Sequence, residues 1–289
     1  MVDAVRIILS KVALKLAPAL YKRRAIAWAE KHLKNNASFL LSFDCDTSRD
    51  ADASIKIQRQ LHRAGIRAAY AIPGQLLEKH WDKYKELPSL GGYFINHGYR
   101  EHAAVDPATG KPYSTFTYRD VDKNTWQQDI LAGHEAIASL TGEPPIIFRT
   151  PHFGEFNNTN QLRQLYDFLS SLNYQISTST TPAFSFSYGP LHKPHASLTE
   201  IPLSGCLGQP TQLMDSWGFL SAPDAAGRQA LLNELKGYKI ELAAGKSLLV
   251  NIYFDPADIA YDQEILDLLT SFKPYCNIHY DNLVPGKKN

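Results

Sequence analysis

SFLLSFDCDTSRDADASIKIQRQLHRAGIRAAYAIPG, residues 38–74, contains a strand, a helix and a second strand, with an acidic pair at the first junction. SFLLSF (38–43) is a short apolar run of the kind a buried strand needs. ADASIKIQRQLHRAG (51–65) spaces its apolar residues as a helix does and closes on Gly65. IRAAYAI (66–72) is the next strand, and Pro73-Gly74 breaks it. The alternation continues outward. The pattern predicts helix over 75–87, strand over 92–96, a loop over 103–118 and a long helix over 118–142 closed by Gly142. It then predicts strand 145–149, helix 158–172, strand 174–179, an irregular aromatic stretch over 180–198 and the extended segment 198–204. Helix 223–244, strand 247–254, helix 259–272 and a last strand near 276–280 complete the chain. So long an alternation predicts an α/β protein with a parallel sheet, closed into a barrel or doubly wound.

The bulk numbers agree with that class. A chain of 289 residues, 44% apolar and 20% charged, suits a soluble globular protein of one large domain or at most two. Cys45, Cys206 and Cys276 are odd in number and widely spaced, which favours a reducing, cytoplasmic setting over a disulfide scaffold. A net charge of +1 argues against nucleic acid as partner, but the charge is uneven. Residues 1–36 carry eight Lys/Arg against Asp3 and Glu30, or +6, and leave the remainder at −5. This basic arm is too charged for a signal peptide and too short to span a bilayer. Ile8, Leu9, Val12, Leu14 and Leu16 follow helical spacing only roughly, and Pro18 should end or kink the helix. We expect an arm over 1–36 packed on a body of 37–289 with a basic face in solvent. The sharper alternative is a peripheral contact with the inner face of a membrane through anionic lipid.

In such folds chemistry gathers where strands end at the carboxyl face. The first strand runs into Asp44-Cys45-Asp46, and alternation points the two carboxylates one way and Cys45 the other. Carboxylates side by side repel unless a cation or a shared proton intervenes; the plainer role for Asp46 is a helix cap. The third strand ends in His97-Gly98-Tyr99-Arg100-Glu101-His102, where two imidazoles become plausible metal ligands beside a carboxylate. Arg149-Thr150-Pro151-His152 follows the fourth strand, and Tyr253-Phe254-Asp255-Pro256-Ala257-Asp258 the seventh. No GxSxG elbow, GxxxxGK[ST] loop or GxGxxG run is present.

These motifs, in this order, resemble the polysaccharide deacetylase family, carbohydrate esterase family four, in its peptidoglycan-deacetylase-like branch. Ser42-Phe43-Asp44-Cys45-Asp46 is similar to the first motif, His97 to His102 to the second, Arg149-Thr150-Pro151 to the third, and Glu200-Ile201-Pro202 to a later strand. The resemblance implies a distorted, incomplete (β/α) barrel of about seven parallel strands and hydrolysis of an N-acetyl group on an amino sugar of a carbohydrate. It implies Asp44 as general base oriented by Arg149, and Asp46, His97 and His102 as ligands of a divalent metal. Zinc is the first choice, with Fe, Co, Mn or Ni as alternatives. Pro151, His152 and Tyr253 would line the substrate.

Three departures bear on mechanism, one of them Ser177 where the family has a buried Asp after the fifth strand. His97 and His102 are five apart where the family has four, so either a bulge restores His102, the reading we take, or Glu101 is the third ligand. The family's late histidine, its general acid, is Asp255 here. Three rivals stay open: a deacetylase or deformylase of a lipid-linked sugar; a non-catalytic carbohydrate binder using Tyr113, Phe116, Tyr118, Phe184, Phe186 and Tyr188; and a non-haem iron oxygenase, since two His and a carboxylate also suit Fe(II).

Overall fold

The computed structural model describes residues 3–33, 37–110, 112–221, 225–276 and 279–283. Two helices open the chain, α1 (Ala4–Leu16) and α2 (Ala19–His32). Then come β1 (Ser38–Asp44), α3 (Arg49–Arg63), β2 (Ala69–Ile72), α4 (Gly74–Lys79), α5 (Trp81–Tyr84) and β3 (Tyr93–Asn96). A small hairpin, β4 (Ala103–Val105) and β5 (Pro112–Ser114), precedes α6 (Lys123–Thr141), β6 (Ile147–Phe148), α7 (Thr159–Ser171), β7 (Ile176–Ser177) and α8 (Pro182–Tyr188). β8 (Thr199–Glu200), α9 (Trp217–Leu220), α10 (Ala225–Ala243), β9 (Leu249–Phe254), α11 (Pro256–Ile259) and α12 (Gln263–Thr270) follow.

Seven strands form one sheet in the order β8-β7-β6-β3-β2-β1-β9, and every neighbouring pair is parallel. Taken in chain order this is a barrel left open between β8 and β9, the incomplete (β/α) barrel that the family resemblance implies. Asn251 on β9 bridges the opening: its Nδ2 donates to the Ile201 carbonyl at 2.9 Å and to Thr178 Oγ1 at 3.0 Å. The alternation of β1 sorts its side chains. Phe39, Leu41, Phe43 and Cys45 pack in the layer that holds α3, α10 and α12, whereas Leu40 joins Ala69, Ala71, Ile95, Ile147 and Ile176 inside the barrel. Ser42 and Asp44 therefore point inward, at the end of the barrel where the parallel strands finish. All seven residues of β1 are buried; each large apolar side chain there contributes roughly 1.5–3 kcal/mol.

Several boundaries differ from the sequence pattern, each for a local reason. The helix expected from 118 starts at Lys123, because Asp122 caps it by accepting the Thr125 N–H at 2.9 Å and 118–120 is a separate 3-10 turn. The helix expected over 75–87 breaks at His80. The one expected over 259–272 breaks before Asp262, which caps α12. The loop over 103–118 holds the hairpin, and α8 lies within the stretch read as irregular. The strand expected near 276–280 falls partly outside the described residues. Among those described, Tyr280–Leu283 is a 3-10 turn, and Tyr280 is buried inside the barrel beside the alanines of β2.

The arm also departs from expectation. Pro18 does separate two helices, and Lys11 and Lys15 lie in solvent, but the centre of the exposed face of α1 is an apolar stripe of Val5, Ile8, Leu9, Val12 and Leu16. Ile7, Ser10 and Leu14 point the other way and are buried. Ser10 Oγ lies 2.6 Å from Ser187 Oγ on α8, and Tyr21 Oη accepts the Gly205 N–H at 3.0 Å. No described helix is long and apolar enough to cross a membrane.

Candidate active site

Asp44 and Arg149 form the floor of the site. Arg149 leaves the end of β6 fully buried, and its Nη1 donates a short hydrogen bond to Asp44 Oδ1. Its Nη2 donates to Ser42 Oγ at 2.8 Å and lies 3.4 Å from both Thr178 Oγ1 and Tyr280 Oη. The rings of Phe153 and Tyr253 each lie 5.6 Å from the guanidinium carbon. Burial alone would weaken this cation; Asp44 outweighs burial and holds its pKa above the ordinary value. A buried charge with so few anionic partners persists only because it is paired and hydrogen-bonded.

Asp46, two residues on, faces a different set. Its Oδ1 is 2.9 Å from His102 Nε2 and 3.5 Å from His97 Nε2, and the three ligating atoms lie within 4.8 Å of one another. Both imidazoles are buried, while about a quarter of the Asp46 side chain stays open to solvent (28%). Burial would raise the Asp46 carboxyl, but His102 and His97 hold it well below the usual range. Burial likewise opposes charge on His102, and Asp46 more than compensates, raising that imidazole. His97 Nδ1 sits 2.9 Å from the Arg149 carbonyl oxygen, which only an N–H can satisfy. In the neutral ring the lone pair is then on Nε2, the atom nearest Asp46 Oδ1. Two imidazole nitrogens and one carboxylate oxygen, one imidazole held by a backbone carbonyl, suit a divalent ion with positions left for water.

The five-residue spacing is accommodated by the turn between the imidazoles. Gly98 has φ +78°, and a Cβ there would meet Asp129 Oδ2 at 2.3 Å and Tyr118 Oη at 2.6 Å. Asp129, buried on α6, accepts the Arg100 N–H at 2.9 Å, the Tyr99 N–H at 3.2 Å and the Tyr118 hydroxyl at 2.8 Å. α6 presses against this turn at Gly133, where a Cβ would lie 2.5 Å from the Gly98 carbonyl oxygen and from Asn96 Oδ1. Glu101 points elsewhere, to Lys79 at 3.5 Å. Among the described residues it is His102, not Glu101, that joins the group.

The end of β9 supplies acids whose nearest charged neighbours are mostly other carboxylates. Burial, followed by repulsion from Asp46, Asp258, Asp50 and Asp44, lifts the Asp255 carboxyl well above its ordinary range. Burial also lifts Asp215 to about 6; its Oδ2 accepts the Tyr253 hydroxyl at 3.1 Å. Asp50, lifted by burial to about 6, ties two strand ends together, accepting Thr47 N–H at 2.9 Å and Ala257 N–H at 3.0 Å. The helix-cap role considered for Asp46 is not seen: the N-cap of α3 is Ser48, and it makes no side-chain capping bond.

Pro151 is buried, and the Tyr253 hydroxyl is engaged by Asp215. His152 sits at φ +55°, with Nε2 3.1 Å from the His102 carbonyl oxygen and 3.0 Å from Ser114 Oγ, so it braces the hairpin against the second imidazole. Burial, and after it His102, keeps its pKa low. Of the six aromatic residues considered as sugar platforms, Tyr118, Phe184 and Phe186 are core, Phe116 and Tyr188 are half-buried, and only Tyr113 is exposed. Cys45 faces the helix layer, where burial and then Asp50 push its thiol up, so it is no nucleophile. Sequence reasoning missed Ser42, Asp50, Asp129, Asp215 and Tyr280. Only Ser42 carried a usable signal, as an inward position two residues before Asp44.

Residues 32–169 match the polysaccharide deacetylase family model. That stretch, just under half of the chain, contains Asp44, Asp46, His97, His102 and Arg149, so the resemblance read from the motifs is matched there by the family model. Among solved structures, the fold is similar to a candidate polysaccharide deacetylase from Mycobacterium smegmatis (TM-score 0.56, 15% identity, 85% of each chain covered). It is similar to a peptidoglycan N-acetylglucosamine deacetylase (0.54, 16%, 92% of this chain and 99% of that one). It is also similar to PuuE allantoinase (0.61, 12%, 85% and 87%), so the architecture does not by itself fix a substrate. Comparison with curated proteins finds no match.

Proposed function

We propose that the chain is a metal-dependent hydrolase that removes an N-acetyl group from an amino sugar of a poly- or oligosaccharide or its precursor. The observation that carries this is the convergence of Asp46, His97 and His102 beside the Asp44–Arg149 pair, from three separate strand ends. Asp46, His97 and His102 would hold a divalent ion, with zinc the best match to two imidazoles and a carboxylate and Fe, Co, Mn or Ni as alternatives. When bound, the ion supplies Lewis acidity toward the acetyl carbonyl and makes water a stronger nucleophile.

The remaining steps belong to side chains. Asp44, paired with Arg149 and held by it in one orientation, takes a proton from the water that attacks the acetyl carbon. As the amide C–N bond breaks, Asp255 gives its proton to the leaving amine nitrogen, and acetate and the free amino sugar result. Asp255 can do this because burial and the neighbouring carboxylates hold its carboxyl well above the ordinary range, toward the neutral acid. Pro151, His152 and Tyr253 form the wall beside this centre. Three free, buried thiols support a reducing, cytoplasmic setting. An amino sugar carried on a lipid is the second reading, favoured by the apolar outer face of α1. Metal analysis of the purified protein, paired with acetate release from N-acetylated oligosaccharides, tests the proposal. We expect one divalent ion per chain and release that stops on chelation. A protein that binds no divalent ion, or releases acetate equally with chelator, would overturn it.

A further inference from the structure

We infer that α1 is a docking face for an anionic lipid bilayer, with its apolar stripe entering the headgroup boundary. Six of the eleven large apolar residues exposed among the described residues lie on the arm: Val5, Ile8, Leu9, Val12, Leu16 and Leu20. At 3.6 residues per turn, positions 5, 8, 9, 12 and 16 fall within an arc of about 100°. That arc lies opposite Ile7, Ser10 and Leu14, which fasten the helix to the body. The helix therefore has two apolar stripes, one used for folding and one left over. Scattered surface apolar residues need no explanation, but an aligned row of them does.

Charge chooses the occupant. α1 contains no acidic residue, and the exposed lysines Lys11 and Lys15 lie along one shoulder of the stripe. On the other shoulder a cleft of about 340 Å³ is lined by Val5 and Leu9 from the stripe and by Arg6 and Arg24. Both guanidiniums are fixed over aromatic rings, Arg6 4.6 Å from the centre of Tyr188 and Arg24 4.4 Å from that of Phe186. The one acid lining the cleft, Asp3, caps α1 by accepting the Val5 N–H at 2.9 Å. Two positioned cations beside an apolar edge suit a lipid phosphate with its acyl chains alongside. A second copy of this chain meeting the same face would bring lysine toward lysine, which the bilayer does not. The arm also touches α8 and Gly205, in the connections that leave the same end of the sheet as the metal-ligating group. This inference stands independently of the hydrolase reading.

The test is sedimentation of the full chain with vesicles of phosphatidylcholine alone and with about a third phosphatidylglycerol. We expect binding to the second, lowered roughly tenfold or more by Leu9→Glu with Leu16→Glu, whose side chains lie in solvent. Lys11→Glu with Lys15→Glu should lower it by about 20-fold or more. Circular dichroism, melting temperature and acetate release in solution should be unchanged in both variants. Failure of the parent protein to bind anionic vesicles, or equal binding by the variants, would overturn the inference. So would a parent dimer that both apolar substitutions turn into a monomer, which would assign the stripe to contact between copies. None of these results touches the metal analysis, so either proposal can fail alone.

Discussion

The tips of β1 and β9 lie side by side in the sheet, and both carry carboxylates, yet the two sets meet opposite surroundings. At β1, Asp44 is paired with Arg149, and two imidazoles hold the Asp46 carboxyl well below its ordinary range. At β9, Asp255 has burial and four other carboxylates for company, and the neutral acid is favoured. Residue type alone cannot assign base, ligand or proton donor; the neighbours do. The contrast also gives the aspartate at 255 a route to the proton-donor role that the resemblance assigns to a histidine. An aspartyl side chain becomes a useful donor only when pushed far from its ordinary value near 3.9.

That contrast can be broken at either tip. The largest effect is expected from His97→Ala, which removes a ligand: inductively coupled plasma analysis should find the ion lost, with acetate release down by about 10³-fold or more. Asp44→Asn should keep the ion and its stoichiometry while turnover falls by ~10²–10⁴-fold. An Asp44→Asn protein that lost its metal would make Asp44 a ligand and erase the division of labour within β1. Asp255→Asn should lower turnover by about 10²-fold and abolish the alkaline fall in activity caused when Asp255 gives up its proton. Asp255→His should restore part of that rate. An unchanged pH profile in Asp255→Asn would leave β9 without a chemical role.

The smallest effect concerns stability. Asp50 has a folded pKa of about 6 against an ordinary 3.8, so the native state holds the proton more tightly than the unfolded chain. Its contribution is full below about pH 4 and is lost as pH rises through about 6, an amount on the order of 1–3 kcal/mol. Urea melts of metal-free protein between pH 4 and 7 should show that slope, and Asp50→Asn should flatten it.

Much of the architecture was legible because β1, β3 and β9 are apolar runs bounded by turn residues, and strand alternation then fixed which side chains face inward. Period two sent Asp44 inward and Cys45 outward without any coordinates. What escaped was tertiary. The turn from His97 to His102 closes correctly only because Asp129, thirty residues away, collects two of its N–H groups. Nothing in the spacing of the histidines announces that. The aromatic stretch around Phe184 and Phe186 looked like a sugar platform because burial cannot be told from composition; it is the seat for α1. On α1 itself, two apolar stripes share thirteen residues, so the helical period was blurred and the outer face was expected to be basic.

Gly133 sits behind all of this, with no atom to spare between α6 and the segment that carries His97. The depth of the candidate metal centre is therefore gauged from the rear, by a hydrogen where any other amino acid would bring a carbon. Alanine at 133 is a one-methyl shim under the first imidazole, and whatever affinity for the ion survives it measures how much play the centre can bear.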